Sequence, residues 1–424
     1  MGGFLNLAIL AILVATLYGP VYRQLTLLGV LRKATHEVRL AEQRTFHRIE
    51  DTMQCEDLHY YTPSHQIFTA CEDSILPRFK WFPPLGNFEQ PVESTGSIHV
   101  IDPTTMKSTR LAFENFAAPL ITHGIEVLED PDRPDAVYIF AVNHLPNKTY
   151  YQAGPHSQET PKASSQVELF HHVLGTKTIR HVRSIRHSLI VTPNDIIAES
   201  PLSFYVTNDH FYREGLKRQI EDIYPAAKWS SIVHVHLDSL ESEDAETGVD
   251  AKVALTGLQN NNGLGHGQSK EEILISNAIG GIMYRGRANP ETGNISIVDE
   301  VHLDSTIDNP SYYMDPYRAS DGNDASGYVL AGLLRAIDLP KNHADPNAKD
   351  GVMVWYTRPK AAKEAGGAVE WETRLIFEDD GTNIRSSSAA LLVSIEPKPQ
   401  EKKKAWLFVT GFISESVIAV EVLL

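Results

Sequence analysis

The sequence predicts an all-β protein, and three observations carry that expectation. From Asp57 onward, short runs of β-branched and aromatic residues alternate with turn residues. Only one internal stretch, Arg213–Tyr224, shows a clear helical period. Roughly 370 residues of such strands exceed a sandwich and match about six four-stranded blades. The expected architecture is therefore a six-bladed β-propeller over residues 49–424, preceded by an apolar helical segment over residues 1–48. No regular sequence period marks the blades, so length and strand number carry the prediction.

Composition sets the outer limits. The 424 residues, 42% hydrophobic and 22% charged, have the balance of a folded globular chain. A net charge of −16 argues against a partner built of nucleic-acid phosphates, which would require a basic face. The one concentrated basic run, Lys402–Lys404, reads as a solvated loop. An acidic excess also suits Ca²⁺ held through carboxylates.

Residues Phe4–Tyr18 are almost continuously apolar, and Gly19–Pro20 is expected to close the run. The length lies between a signal-peptide core and a spanning helix. No small-x-small cleavage site is evident, which favours an uncleaved signal anchor. Arg23, Arg32 and Lys33 follow the apolar run and favour a cytoplasmic C-terminal side. The sequons at Asn147 and Asn294 instead suit a lumenal or extracellular domain, and the secretory reading is preferred. From Arg23 to Arg48 the spacing of Leu25, Leu28, Leu31, Val38 and Leu40 predicts an amphipathic helix lying on a membrane or on the domain.

The only cysteines, Cys55 and Cys71, flank a hairpin pattern with its turn at Thr62–His65. Folding about that turn brings them near each other, leaving a disulfide or two buried thiols as alternatives. Expected strands then follow at Ser97–Ile101, Val137–Val142, Ser188–Val191, Phe204–Val206, Ile232–His236, Ile273–Ile275 and Ile295–Val298. Tyr328–Leu330, Val352–Tyr356, Trp371–Phe377, Leu391–Ile395, Trp406–Val409 and Val417–Val422 complete the series. Polar inserts at Gln152–Gln166, Asp238–Asp250, Lys341–Asp350 and Pro397–Lys404 read as surface loops.

One hairpin, Ile121–Asn147, carries candidate chemistry. Apolar runs Gly124–Leu128 and Ala136–Val142 flank a turn rich in Pro and Asp. With the turn centred between Asp132 and Arg133, His123 lies opposite Val142, and His144 lies two residues beyond on the same face. A one-residue slip would separate them. Two imidazoles on one strand end offer a proton-transfer pair or half a metal site, and the alternative is two unrelated strand-end histidines.

Four polar spots, Glu56-Asp57, Asn194-Asp195, Asn262-Gly263 and Asp308-Asn309, fall at strand ends. Their side-chain oxygens are hard ligands of the kind Ca²⁺ gathers in sets of six to eight. Neighbouring residues on extended backbone point opposite ways, so one pair can serve two ions at different depths. Taken singly each pair is an ordinary turn. Competing chemistries are weaker: there is no Gly-x-Ser-x-Gly elbow, His-Glu-x-x-His or Walker loop. Gly263–Gly267 lacks the surroundings of a dinucleotide loop, and His234-Val-His236 lacks companion zinc ligands.

With these residues in view, the chain resembles the paraoxonase/arylesterase family. The resemblance rests on His123–Asn147 and on VELFHHV, TIRH, NDI and FYVTNDHF in that order within Val167–Tyr212. It implies a six-bladed propeller with two calcium ions in a central tunnel and a lactone- and aryl-ester-hydrolysing site at one mouth. By that resemblance Glu56, Asn194, Asn262, Asp308 and Asn309 match the catalytic calcium ligands. Asp57, Asp195 and the carbonyl of Ile125 match the structural calcium site, and His123 and His144 match the histidine dyad. The family's retained hydrophobic N-terminus supports the anchor reading.

The chain also departs from the family pattern. Val417–Leu424 has no cysteine for the family's closing disulfide, Asn260 replaces an aromatic wall residue, and Leu330–Pro340 has no His-Pro-Asn-Gly segment. The expected function is a calcium-dependent hydrolase of lactones or aryl esters, lumenal or extracellular, associated with lipid through its N-terminus. The alternative is a non-catalytic, calcium-stabilised propeller that binds a protein or lipid at a membrane.

Overall fold

A computed structural model describes residues 2–33, 46–90, 92–152, 160–242, 244–318, 323–360, 369–398 and 401–424. Most of the amphipathic helix expected after Lys33, and parts of the inserts expected at Gln152–Gln166, Asp238–Asp250 and Pro397–Lys404, lie outside the described residues.

Strand is the dominant regular structure among the described residues. Among the described residues the strands form four four-stranded sheets, one eight-stranded sheet and a two-stranded ribbon, Trp81–Phe82 with Asn87–Phe88. The eight-stranded sheet consists of two antiparallel four-stranded stretches, one beginning at His59–Tyr61 and one at Thr122–Glu129. A short parallel pairing, Thr178 opposite Ala112 and Ile179 opposite Phe113, joins them. The four-stranded sheets begin at Pro193–Ser200, Asn261–His266, Pro310–Tyr313 and Ser387–Ile395.

From Thr122–Glu129 onward, the first strands of successive stretches pack against one another. Glycines permit that approach. A Cβ on Gly263 would strike the backbone and side chain of Asn309, and one on Gly124 would strike Asp195. The Gly-rich run at 263–267 therefore serves close strand contact rather than a phosphate loop. Strands inside each sheet, such as Glu272–Asn277 and Gly327–Leu333, are buried on both faces. Edge strands such as Val249–Leu258 are mostly exposed or half-buried.

The last sheet draws its edge strand from the other end of the chain: Phe46, His47 and Arg48 pair with Val420, Ala419 and Ile418. This strand occupies the end of the stretch read as amphipathic helix. The apolar helix spans Gly2–Leu27 and continues through Pro20, where a stop was expected. Its last turn is held by the body: Leu27 is buried, and Arg23 donates to the carbonyls of Gly280 and Leu303. Among the described residues, no helix is long and apolar enough to cross a membrane.

Ser188–Val191 is a turn, and the strand expected there begins instead at Pro193. The helix expected at Arg213–Tyr224 is confined to Leu216–Ile223. Cys55 and Cys71 are joined in a disulfide.

Candidate functional site

The site forms where five strands begin. Glu56 and Asp57 immediately precede His59–Tyr61, His123 opens Thr122–Glu129, Asn194 and Asp195 open Pro193–Ser200, and Asn262 opens Asn261–His266. Asp308 and Asn309 lead into Pro310–Tyr313. Hydrogen bonds tie these segments together. Asn309 Nδ2 donates to Glu56 Oε1 at 3.0 Å, and Leu264 N donates to Asp195 Oδ2 at 2.7 Å. Thr207 Oγ1 donates to the Asn262 carbonyl at 2.7 Å, and Asn309 N donates to the Ser388 carbonyl at 2.8 Å.

Among the described residues, five oxygens at this centre are buried without a hydrogen-bond partner: Glu56 Oε2, Asn194 Oδ1, Asn262 Oδ1, Asp308 Oδ1 and Asn309 Oδ1. Orphaned buried acceptors are rare, and an ion is one standard explanation. Burial drives the Glu56 carboxyl well above its ordinary range, and the charges of Asp308 and Asp57 push it further. Asp308 is raised in the same way, by burial and then by Asp195 and Asp57. Among the described residues, no three His, Cys, Asp or Glu side chains are arranged to hold a metal by themselves. The cluster relies on amide oxygens as well as carboxylates, a hard donor set whose chemistry fits Ca²⁺.

Asp57 and Asp195 differ. Asp57 accepts from Leu58 N at 2.8 Å and from Ile125 N at 3.3 Å. Asp195 accepts from Ile196 N at 2.8 Å as well as from Leu264. Each carboxylate oxygen retains a further lone pair, so these residues are satisfied without an ion yet still able to ligate. Burial raises Asp57 to about 6, and it raises Asp195 well above the usual range with help from Asp57 and Glu56.

The two hairpin histidines meet. His144 Nε2 lies 3.0 Å from His123 Nδ1, and His144 Nδ1 lies 2.9 Å from Ser165 Oγ. His123 Nε2 faces Glu56 Oε1 at 3.9 Å. Most of the hairpin pairs one residue out of the expected register, with Ile125 opposite Ala141. A bulge between Thr122 and Ile125 restores the expected alignment at the strand end, where Thr122 lies opposite Asn143. Burial lowers His123 to about 3, opposed by the Asp209 charge and assisted by Arg78. Burial, then His123, lowers His144 well below its ordinary value. Both rings are therefore neutral near pH 7.

Several supporting residues were not singled out in the sequence. Phe82 presents its ring to both imidazoles, with centroids 5.2 Å from His123 and 5.8 Å from His144. The Arg78 guanidinium sits 4.3 Å over Phe82 and donates to the Thr122 carbonyl at 2.7 Å. Trp81 Nε1 donates to the His144 carbonyl at 2.7 Å. Asp209 lies in the pocket beside His144. Burial works to raise its carboxyl, but His210 and Arg218 hold it well below the usual range. The Phe-Lys-Trp-Phe-Pro-Pro run and the Asn-Asp-His triplet were the available signals. Asn260, at the expected wall position, has a left-handed backbone and donates to the Asp209 carbonyl at 3.3 Å. His234 contacts Ser203 and Glu199 at the surface rather than a metal cluster.

Fold and site together define an all-β protein whose strand ends gather an oxygen-rich polar centre beside a histidine pair. Residues 81–318 match the Arylesterase family model, and the chain belongs to that family. It is 27% identical over 210 residues to serum paraoxonase/arylesterase 2 of Canis lupus familiaris, covering 50% of this chain and 48% of that protein. Against the Gallus gallus protein of the same name, identity is 29% over 220 residues, 52% of each chain. Serum paraoxonase/arylesterase 1 of Homo sapiens is 32% identical over 133 residues, 31% of this chain and 32% of its own. The chain thus spans about half the length of the first two relatives.

Proposed function

We propose that this protein hydrolyses lactones or aryl esters, on a six-bladed propeller with a central site dependent on calcium. The observation that supports the reading most is the set of five orphaned oxygens beside the coupled histidines. Glu56, Asn194, Asn262, Asp308 and Asn309 would hold the upper Ca²⁺. Asp57, Asp195 and the Ile125 carbonyl would hold a second. When bound, the upper ion supplies Lewis-acid polarisation of the substrate carbonyl.

The histidines supply the proton path. His123 Nε2 is the base if Nδ1 carries the ring proton and donates it to His144 Nε2. His144 then donates from Nδ1 to Ser165 Oγ. That set of tautomers leaves the His123 Nε2 lone pair on the Glu56 side of the site, and the Pro193 carbonyl also approaches this ring. There His123 takes a proton from water as the water oxygen bonds to the carbonyl carbon. Collapse of the tetrahedral adduct breaks the ester C–O bond, and the same proton passes to the leaving oxygen. A lactone yields a hydroxy acid; an aryl ester yields a phenol and an acid. Phe82 and the buried Arg78 hold the rings in place and limit water behind them.

We further propose a lumenal or extracellular setting, in keeping with the Cys55–Cys71 disulfide. Exposed Leu17, Tyr18, Val21 and Tyr22 on the N-terminal helix would lie against lipid. Of the two sequons, exposed Asn294 is the freer glycan acceptor, because Asn147 Nδ2 donates to the Pro161 carbonyl at 2.9 Å.

The test is a panel of lactones and aryl esters with purified full chain, in calcium and in EGTA. Hydrolysis that requires calcium and disappears in Asn262→Ala supports the reading. Full hydrolysis in calcium-free protein refutes the calcium role. Calcium-dependent melting without turnover of any ester would instead mark a binding protein.

A further inference from the structure

The pocket beside His144 contains a cation that the hydrolytic reading leaves unused. Arg213, Arg218 and Asp209 line this pocket with His144, and Phe88 and Pro83 supply an apolar wall. Arg218 is committed: it donates to the Pro84 carbonyl at 2.7 Å and lies 3.8 Å from Asp209. Arg213 is half-buried, and among the described residues it engages a partner through Nε alone, which donates to the Val191 carbonyl at 3.1 Å.

Among the described residues no carboxylate pairs with the Arg213 guanidinium, and the acids around it are engaged elsewhere. Glu214 pairs with Lys162, Asp222 with His210, and Asp209 with His210 and Arg218. Glu221 accepts the backbone N–H groups of Phe211 and Tyr212. In a chain of net charge −16, an arginine left without an acid in a concave pocket is unexpected. Burial lowers its proton affinity and no neighbouring acid opposes the shift. Its two Nη groups retain the planar fork that grips a carboxylate or phosphate through two parallel hydrogen bonds.

We propose that Arg213 anchors an anion subsite, so that the preferred substrates are esters or lactones bearing a carboxylate or phosphate away from the scissile carbonyl. The inference rests on the hydrolytic reading of the adjacent dyad. Arg213 is a specificity residue: it orients the substrate's far end while the carbonyl lies at the histidines.

The experiment uses the full chain in calcium and three γ-lactones that differ only at the tip of one side chain: carboxylate, phosphate monoester or primary amide. Comparing the two charged substrates identifies the preferred anion. The expected result is a kcat/KM at least about tenfold higher for a charged tip than for the amide, expressed mainly in KM. Arg213→Gln should bring that ratio close to one, Arg213→Lys should restore part of it, and exposed Arg133→Gln should leave it intact. Equal kcat/KM for charged and amide tips in the unmodified protein would overturn the subsite, as would a preference that survives Arg213→Gln. If none of the lactones is hydrolysed, the hydrolytic reading fails by itself. Calorimetric binding of the matching carboxylate and amide lactams then decides the subsite: tighter carboxylate binding lost in Arg213→Gln supports it, and equal binding overturns it.

Discussion

Removing calcium should destabilise the protein by an amount set by the five orphaned oxygens. With no ion, Glu56 Oε2, Asn194 Oδ1, Asn262 Oδ1, Asp308 Oδ1 and Asn309 Oδ1 are buried with nothing to accept from. At the lower end of the desolvation cost, about 1 kcal/mol each, the set costs about 5 kcal/mol. Unfolding entropy of about 2.1 cal/mol/K per residue gives about 0.8 kcal/mol/K for a cooperative body of this size. The expected fall in Tm is therefore about 6 °C. Scanning calorimetry in millimolar CaCl₂ and in excess EGTA, near neutral pH, measures it. Calcium should restore the higher transition, whereas magnesium, which demands tighter octahedral geometry, should restore little. Glu56→Gln removes one of the two carboxylates in the orphaned set and should shrink the calcium-dependent interval. Coincident transitions in calcium and EGTA would refute the cation cradle.

Other perturbations separate chemistry from scaffold. His123→Gln should lower kcat by about a hundredfold while the circular dichroism spectrum is retained; unchanged turnover would remove His123 as the base. Glu168, fully buried, accepts from Asn143, Gln166, His181 and Ser184 behind the dyad. Burial acts to raise its carboxyl, but those donors hold it below the ordinary value. Its stabilisation is thus complete above the unfolded carboxylate pKa and lost as pH falls through the lower folded value. Glu168→Ala should cost about 3 kcal/mol in denaturant titration near pH 7, with a smaller difference in acid. Cys55 and Cys71 are 16 residues apart, and replacing both with alanine should cost about 3 kcal/mol by the same measurement.

The hairpin at Ile121–Asn147 was legible because its turn residues and apolar alternation are local. The bulge at Thr122–Ile125 was not, because nothing in the strand's own residues announces the neighbour at Asp195 that Gly124 must admit. The oxygen dipeptides could be read as candidate ligands, but their convergence depends on five strands meeting. That information lies in packing rather than in any one stretch. Strands such as Lys107–Phe113 and Val249–Leu258 leave little mark in the sequence because their exposed faces carry charged and polar residues. Ser188–Val191 misled in the opposite sense: Ile190 is apolar because it is buried beneath a turn. The helix at Gly2–Leu27 passes Pro20 because contacts distant in sequence, those of Arg23 and Leu27, hold its final turn.

The pairing of Phe46–Arg48 with Ile418–Val420 bears on how the molecule is made. Synthesis runs from the first strand to its partner, so the early strand must wait unpaired while nearly every other sheet emerges. Such a contact has high sequence separation and forms late, after local meanders have already shortened the path between its ends. The only disulfide, Cys55–Cys71, lies within one early hairpin and cannot clasp the seam. Completion of the last sheet therefore depends on backbone hydrogen bonds and on Ile49, Val417 and their apolar neighbours. The waiting strand is an open edge during biogenesis, able to pair with a second nascent copy before its own partner arrives.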